Sequence, residues 1–169
     1  MVSTFKGPLV GLLLVVAYAS MVINIISIRK VEVGESTYPP AVVAMLVLSI
    51  CQMFWLLSYF IMSGKGALWK ASTAAATMLF WACFNFGAIV AVTVLRYHNR
   101  YCGASNTIRS DCAGVLRGVM ALGWSLFGLD LIFLGYLASL VSSSRSSWSQ
   151  PLHNIPPLVR VVDPEAPKH

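Results

Sequence analysis

Charged residues are scarce in this chain. Of its 169 residues only 11% are charged, and six of them are acidic, against roughly a quarter charged in an ordinary soluble domain. A chain this poor in charge does not dress itself in a polar surface, so a soluble globular fold is excluded. Disorder over most of the length is excluded as well, because 57% of the residues are hydrophobic and disorder needs a low apolar content. Catalytic signatures are also missing. The sequence contains no Cys-x-x-Cys pair, no His-Glu-x-x-His, no Gly-x-Ser-x-Gly elbow and no glycine-rich phosphate loop. Its three histidines, His98, His153 and His169, lie far apart and outside the apolar runs. No metal site or cofactor is expected from them, and the chain reads as non-enzymatic. The net charge of +6 is spread between apolar runs and forms no contiguous basic surface, which excludes nucleic acid as a partner. Membrane lipids explain the excess more simply, since a Lys or Arg beside anionic headgroups gains about 1 kcal/mol.

What the chain has in abundance is apolar runs of the length a helix needs to cross hydrocarbon, about 20 residues. Four are present, at 8–28, 41–62, 73–95 and 113–141. None alternates in polarity as a membrane β-barrel strand would. The expected fold is therefore an all-α membrane protein, an antiparallel four-transmembrane-helix bundle with short loops. It is flanked by a short N-terminus, 1–7, and a Ser/Pro-rich tail, 142–169, read as an extended segment. The first run carries Ala17-Tyr18-Ala19 before Ser20, which imitates a signal-peptide cleavage site. Its hydrophobicity continues through Ile28, however, and the run is read as a retained span.

Four spans place both termini on one side of the membrane, but charge counting does not choose the side. Six basic residues fall on the terminal side and five on the other. Cys102 and Cys112 share the third loop and are spaced to close a small ring in an oxidising compartment. That reading makes the loop extracytoplasmic and both termini cytosolic; two free thiols in a cytosolic loop is the alternative. Cys51 and Cys83 fall inside spans and read as small buried hydrophobes.

Asp130 is the one acidic residue well inside a span, where an ionisable side chain costs about 2.5 kcal/mol or more and needs a partner or a proton. Counted from the terminal end of each span, Tyr18, Gln52, Asn85 and Asp130 all lie about ten residues deep. One polar residue per helix at one depth points to a buried hydrogen-bonded layer that fixes helix register. The rival reading is the proton or cation site of a small transporter or channel. Gly114, Gly118, Gly123 and Gly128 form a sparse glycine series on span four, and Gly7 and Gly11 repeat the four-residue spacing on span one. Such spacing lets helices approach closely, either within the bundle or against a membrane partner. Tyr38, Trp69, Tyr97, Tyr101 and Trp148 are placed as an interfacial aromatic belt.

Four spans in about 140 residues, the Cys102-x9-Cys112 pair before span four, and a Ser-rich tail after it resemble the MARVEL-type tetraspan proteins. The stretch from Tyr101 through Cys112 to Trp124 and Phe127 is most similar to their fungal branch that includes the non-classical export protein. Claudin-like tetraspans fit less well, because their paired cysteines follow span one, and the loop here from Arg29 to Pro40 has none. The resemblance implies a non-enzymatic plasma-membrane organiser or accessory subunit. Its partners would be sterol- or sphingolipid-rich membrane, a larger integral membrane protein, or copies of itself. Asp130 and the Pro-rich tail have no counterpart in that pattern.

Overall fold

The computed structural model describes residues 6–35, 40–63, 65–97, 106–144 and 147–155; at 31–35, 95–97, 106–111 and 144 it describes the backbone alone. The chain forms four helices, α1 (Lys6–Glu35), α2 (Pro40–Met62), α3 (Ala71–Tyr97) and α4 (Asn106–Ser144), with a single 3-10 turn at Ala67–Trp69. All four contain stretches long and apolar enough to cross a membrane. Among the described residues the only extended pairing is one antiparallel bridge between Lys70 and Pro151. The protein is thus an integral membrane protein built as an all-α bundle, with α1 against α2 and α4, and α3 against α2 and α4.

Each helix buries a stripe with alternating three- and four-residue steps. On α1 it runs Val10, Leu13, Ala17, Ser20, Asn24, Ser27, and on α2 Val42, Met45, Ser49, Gln52, Leu56. On α4 it runs Cys112, Leu116, Val119, Gly123, Leu126, Asp130, Phe133, Leu137, Leu140. A 3.5-residue repeat keeps one seam facing the neighbours and gives antiparallel helices crossing at about 20°. The faces opposite the stripes expose Val15, Phe54, Ile61, Phe84 and Ile132, all more than half open. Large apolar groups turned outward on every helix are the surface that lipid requires.

Helix ends extend beyond the apolar runs. Pro40 opens α2, where its missing N–H has no intrahelical acceptor to lose. α2 stops at Met62 because Ser63 takes a left-handed conformation (φ 49°), and Lys65 N–H then closes on the Met62 carbonyl at 2.8 Å. Gly66 follows at φ 134°, a conformation L side chains rarely adopt. α4 begins at Asn106, seven residues before the expected start of span four at 113, so half of the expected third loop is helix.

Against the expectation of an extended tail, its described part, 147–155, is packed against the bundle, and 156–169 lie outside the described residues. Residues 147–155 fold back across the end of the bundle where α1 begins, burying Leu152 and Ile155. Gln150 and Trp148 carbonyls accept from the N–H groups of Ala71 and Ser72 at 3.0 and 2.9 Å, and Leu152 N–H donates to the Trp69 carbonyl at 2.8 Å. Two of the free donors of the α3 N-terminus, which any helix start leaves unsatisfied, are therefore met by the tail. Lys6, at the first turn of α1, donates from Nζ to the carbonyls of Leu152 (2.7 Å) and Ile155.

Trp69 also departs from expectation. It is fully buried rather than part of an interfacial belt. Its ring lies 4.2 Å from that of Trp55 and 4.9 Å from Tyr59, and Nε1 donates to Ser58 Oγ at 3.0 Å. The physical reason is the folded tail, which covers the 3-10 turn that carries it.

Candidate functional site

The apolar core is interrupted halfway along the bundle. One buried cluster fills the terminal half, including Leu13, Leu56, Trp69, Met78, Phe133 and Leu137. A second, smaller cluster fills the half near the loops joining α1 to α2 and α3 to α4, from Val42 and Met45 to Ile89, Leu116 and Val119. Between them sit the buried polar residues Gln52, Asn85 and Asp130, none more than 2% exposed.

These three close a triangle. Gln52 Nε2 donates to Asp130 Oδ1 at 2.7 Å, and Asn85 Nδ2 donates both to Asp130 Oδ2 at 3.0 Å and to Gln52 Oε1 at 3.1 Å. Every pair among α2, α3 and α4 is joined by one bond, and both oxygens of Asp130 have a donor. Interhelical bonds of this kind contribute about 0.6 kcal/mol each. Their larger effect is on register, since sliding any helix by one residue would strand a polar side chain in hydrocarbon.

Tyr18 does not belong to this layer. It is 56% exposed and shares its face of α1 with Val15, Val22 and Ile25. Depth fixes height along the axis, whereas at 3.6 residues per turn Tyr18 points about 100° away from Ala17, which faces inward. The polar contribution of α1 comes instead from Ser20, Asn24 and Ser27. Ser49 Oγ of α2 lies 3.0 Å from Ser20 Oγ and donates to the Met45 carbonyl at 2.8 Å, and Asn24 Nδ2 donates to Ser20 Oγ at 3.3 Å. Three- and four-residue spacing of small polar side chains in an apolar helix was the available signal, because polar groups in a membrane helix turn towards the bundle interior. Asn24 Oδ1, Ser27 Oγ and Trp81 Nε1 are buried with no hydrogen-bond partner in the structure.

The glycines of α4 divide. A Cβ on Gly123 would fall 2.7 Å from both Ile89 Cδ1 and Met45 Cε, and one on Gly118 would fall 3.3 Å from Ile23. These two admit the neighbouring helices of the same bundle, so they are not available as a face for a partner. Gly114 and Gly128 would meet nothing within 4 Å. Of the two alternatives for this series, packing within the bundle is what Gly118 and Gly123 do, whereas Gly114 and Gly128 meet no neighbouring helix among the described residues.

Two concavities are lined by described residues. A cavity of about 240 Å³ at the terminal end is lined by Lys6, Gly7, Tyr59, Ser63, Leu152 and His153. A groove of about 580 Å³ runs between α2 and α3 in the other half, floored by small residues including Ala41, Ala44, Gly87, Ala88 and Ala91. Neither is lined by the polar triangle. Cys51 and Cys83 are exposed free thiols on the outer faces of α2 and α3 rather than buried ones. Cys112 is buried at the start of α4, while Cys102 and with it the expected ring lie outside the described residues. Tyr38 and Tyr101 lie outside them too. No protein-family model, no curated protein and no solved structure matches this chain.

Proposed function

We propose that this protein is a non-enzymatic tetraspan organiser or accessory subunit of a membrane assembly, acting through its helix faces, lipid contacts and folded tail. The observation that carries the reading is the closed polar triangle. Asp130, the residue on which membrane chemistry would first be sought, has both oxygens occupied by Gln52 and Asn85 and lines neither concavity. Its geometry supports a register pin more than a transport site. Outside the core, the described surface offers apolar helix faces, the α2–α3 groove and the tail for association.

The resemblance to MARVEL-type tetraspans, residence in the plasma membrane, cytosolic termini and a Cys102–Cys112 disulfide belong to the same proposal. It is tested by mass spectrometry of the protein gently extracted from its native membrane. A stoichiometric integral membrane partner, or copies of the chain alone, is the expected result. Non-reducing peptide mapping of the same sample reads the disulfide.

A second reading, a small proton- or ion-coupled transporter, is favoured by one observation. Ser49, Ser20, Asn24 and Ser27 continue the buried polar groups beyond the triangle into the other half of the bundle, ending on two unpartnered oxygens. Flux in proteoliposomes abolished by Asp130→Asn would support it. Absence of flux, or flux indifferent to that substitution, removes Asp130 from any transport mechanism.

A further inference from the structure

The terminal-end cavity is electrostatically one-sided. Lys6 is only 7% exposed, and a buried ammonium is costly unless its charge is balanced. Two of its three N–H donors are taken by the carbonyls of Leu152 and Ile155, which are neutral. Among the described residues, none that lines the cavity is acidic. The other groups around it can each donate a hydrogen bond to an anion: the hydroxyls of Tyr59 and Ser63, the imidazole of His153, and the first-turn backbone of α1 at Gly7. Helix first turns carry unsatisfied N–H groups and partial positive charge. Gly7 leaves open space where a side chain would stand, with nothing within 4 Å of a Cβ placed there. A ligand can therefore approach the backbone.

We propose that this cavity binds a phosphate group. The charge is right, because a phosphate supplies an anion that Lys6 does not find among the described residues, and enough acceptor oxygens to meet the third Lys6 N–H, the hydroxyls and the α1 first turn together. Size is right as well: about 240 Å³ holds a phosphate and a few waters and excludes a large headgroup. Position makes a membrane phospholipid the natural source. Lys6 opens the first span and Met62 closes the second, so the cavity sits at headgroup level. Phe60, Ile61 and Met62, all exposed on the last turn of α2, offer apolar surface directly below it for acyl chains. A soluble phosphate presents the same chemistry. Because the Lys6 ammonium also holds the tail, a bound phosphate would reinforce the packing of 147–155.

The test uses the full chain in zwitterionic lipid nanodiscs, in two arms. One titrates inorganic phosphate; the other incorporates phosphatidic acid and counts retained lipid by native mass spectrometry. Saturable binding in either arm is expected, and the arm in which it occurs assigns the source. Lys6→Gln is expected to abolish it. His153→Glu, which leaves the Lys6 bonds to the tail carbonyls in place, is expected to weaken it about tenfold or more, because it replaces a hydrogen-bond donor by a carboxylate beside the anion. Lys65→Gln and Lys70→Gln, exposed lysines on the same end of the bundle, should change it less than about twofold. Binding that is absent in both arms overturns the proposal. So does binding that responds equally to all four substitutions, which would mark diffuse attraction of the basic surface rather than a site.

Discussion

The two halves of the bundle solve the same packing problem with different materials. In the terminal half the space between helices is filled by large side chains, Trp55, Trp69, Met78, Trp81, Phe133 and Leu137, and sealed by the folded tail. In the other half helices approach through Gly118 and Gly123, the cluster of described buried residues is smaller, and buried polar groups of α1 go partly unpaired. The α2–α3 groove lies in that half as well. Without a hydrophobic driving force between helices in lipid, van der Waals contact and hydrogen bonding are what hold a bundle together. By that measure the terminal half is the rigid one, and the other half has the looser seam.

The comparison is broken most severely by removing the aromatic centre of the tight half. Trp69→Ala deletes the ring contacts with Trp55 and Tyr59, leaves a cavity under the tail and orphans the Ser58 acceptor. A loss of about 3 kcal/mol is expected, measured by reversible unfolding in bicelles, with protease access at 147–155 rising in parallel. A smaller effect, about 1–3 kcal/mol, is expected from Gly123→Leu, since even a Cβ there would collide with Ile89 and Met45. Gly128→Leu on the same helix meets open space and is expected to change stability by less than about 0.5 kcal/mol. If the two glycine variants behave alike, the tight approach at Gly123 is not what holds the looser half.

The boundary between the halves is tested by Asp130. Asp130→Ala leaves Gln52 Nε2 without its acceptor and Asn85 Nδ2 with only the bond to Gln52 Oε1, and a loss of about 1–2 kcal/mol is expected. Asp130→Asn keeps a carbonyl oxygen in place of one carboxylate oxygen and should lose less than half of that. Equal losses in the same unfolding assay would mean that the charge, not the acceptor geometry, is what the triangle uses.

Length and hydropathy made the four spans legible, because crossing hydrocarbon demands both and nothing else in the chain imitates them. Gln52, Asn85 and Asp130 were legible for a related reason: a polar side chain deep in a span must find another at its own depth. Tyr18 satisfied the depth count and still points outward, because its hydroxyl sits on an amphipathic ring that tolerates the outer face. Azimuth was encoded in the spacing of Ser20, Asn24 and Ser27. The tail was not legible at all. Its docking depends on carbonyls meeting Lys6, Ala71 and Ser72, and backbone acceptors are present in every sequence.

A small expected effect, and the one gain among them, decides most about the looser half. Ser27 Oγ is buried on α1 with no partner in the structure. A hydroxyl held dry in that position is unfavourable, and Ser27→Ala removes it while keeping the small volume that lets the helices meet. A gain of a few tenths of a kcal/mol up to about 1 kcal/mol is therefore expected in the unfolding assay. The opposite sign would mean that the hydroxyl has a partner, and in a polar site of this kind that partner is water. Water at Ser27 would in turn hydrate the series that runs from Ser27 through Asn24, Ser20 and Ser49 towards the triangle. A gain in stability thus keeps Asp130 a structural pin in a dry bundle, whereas a loss gives the transport reading the wet approach to Asp130 on which it depends.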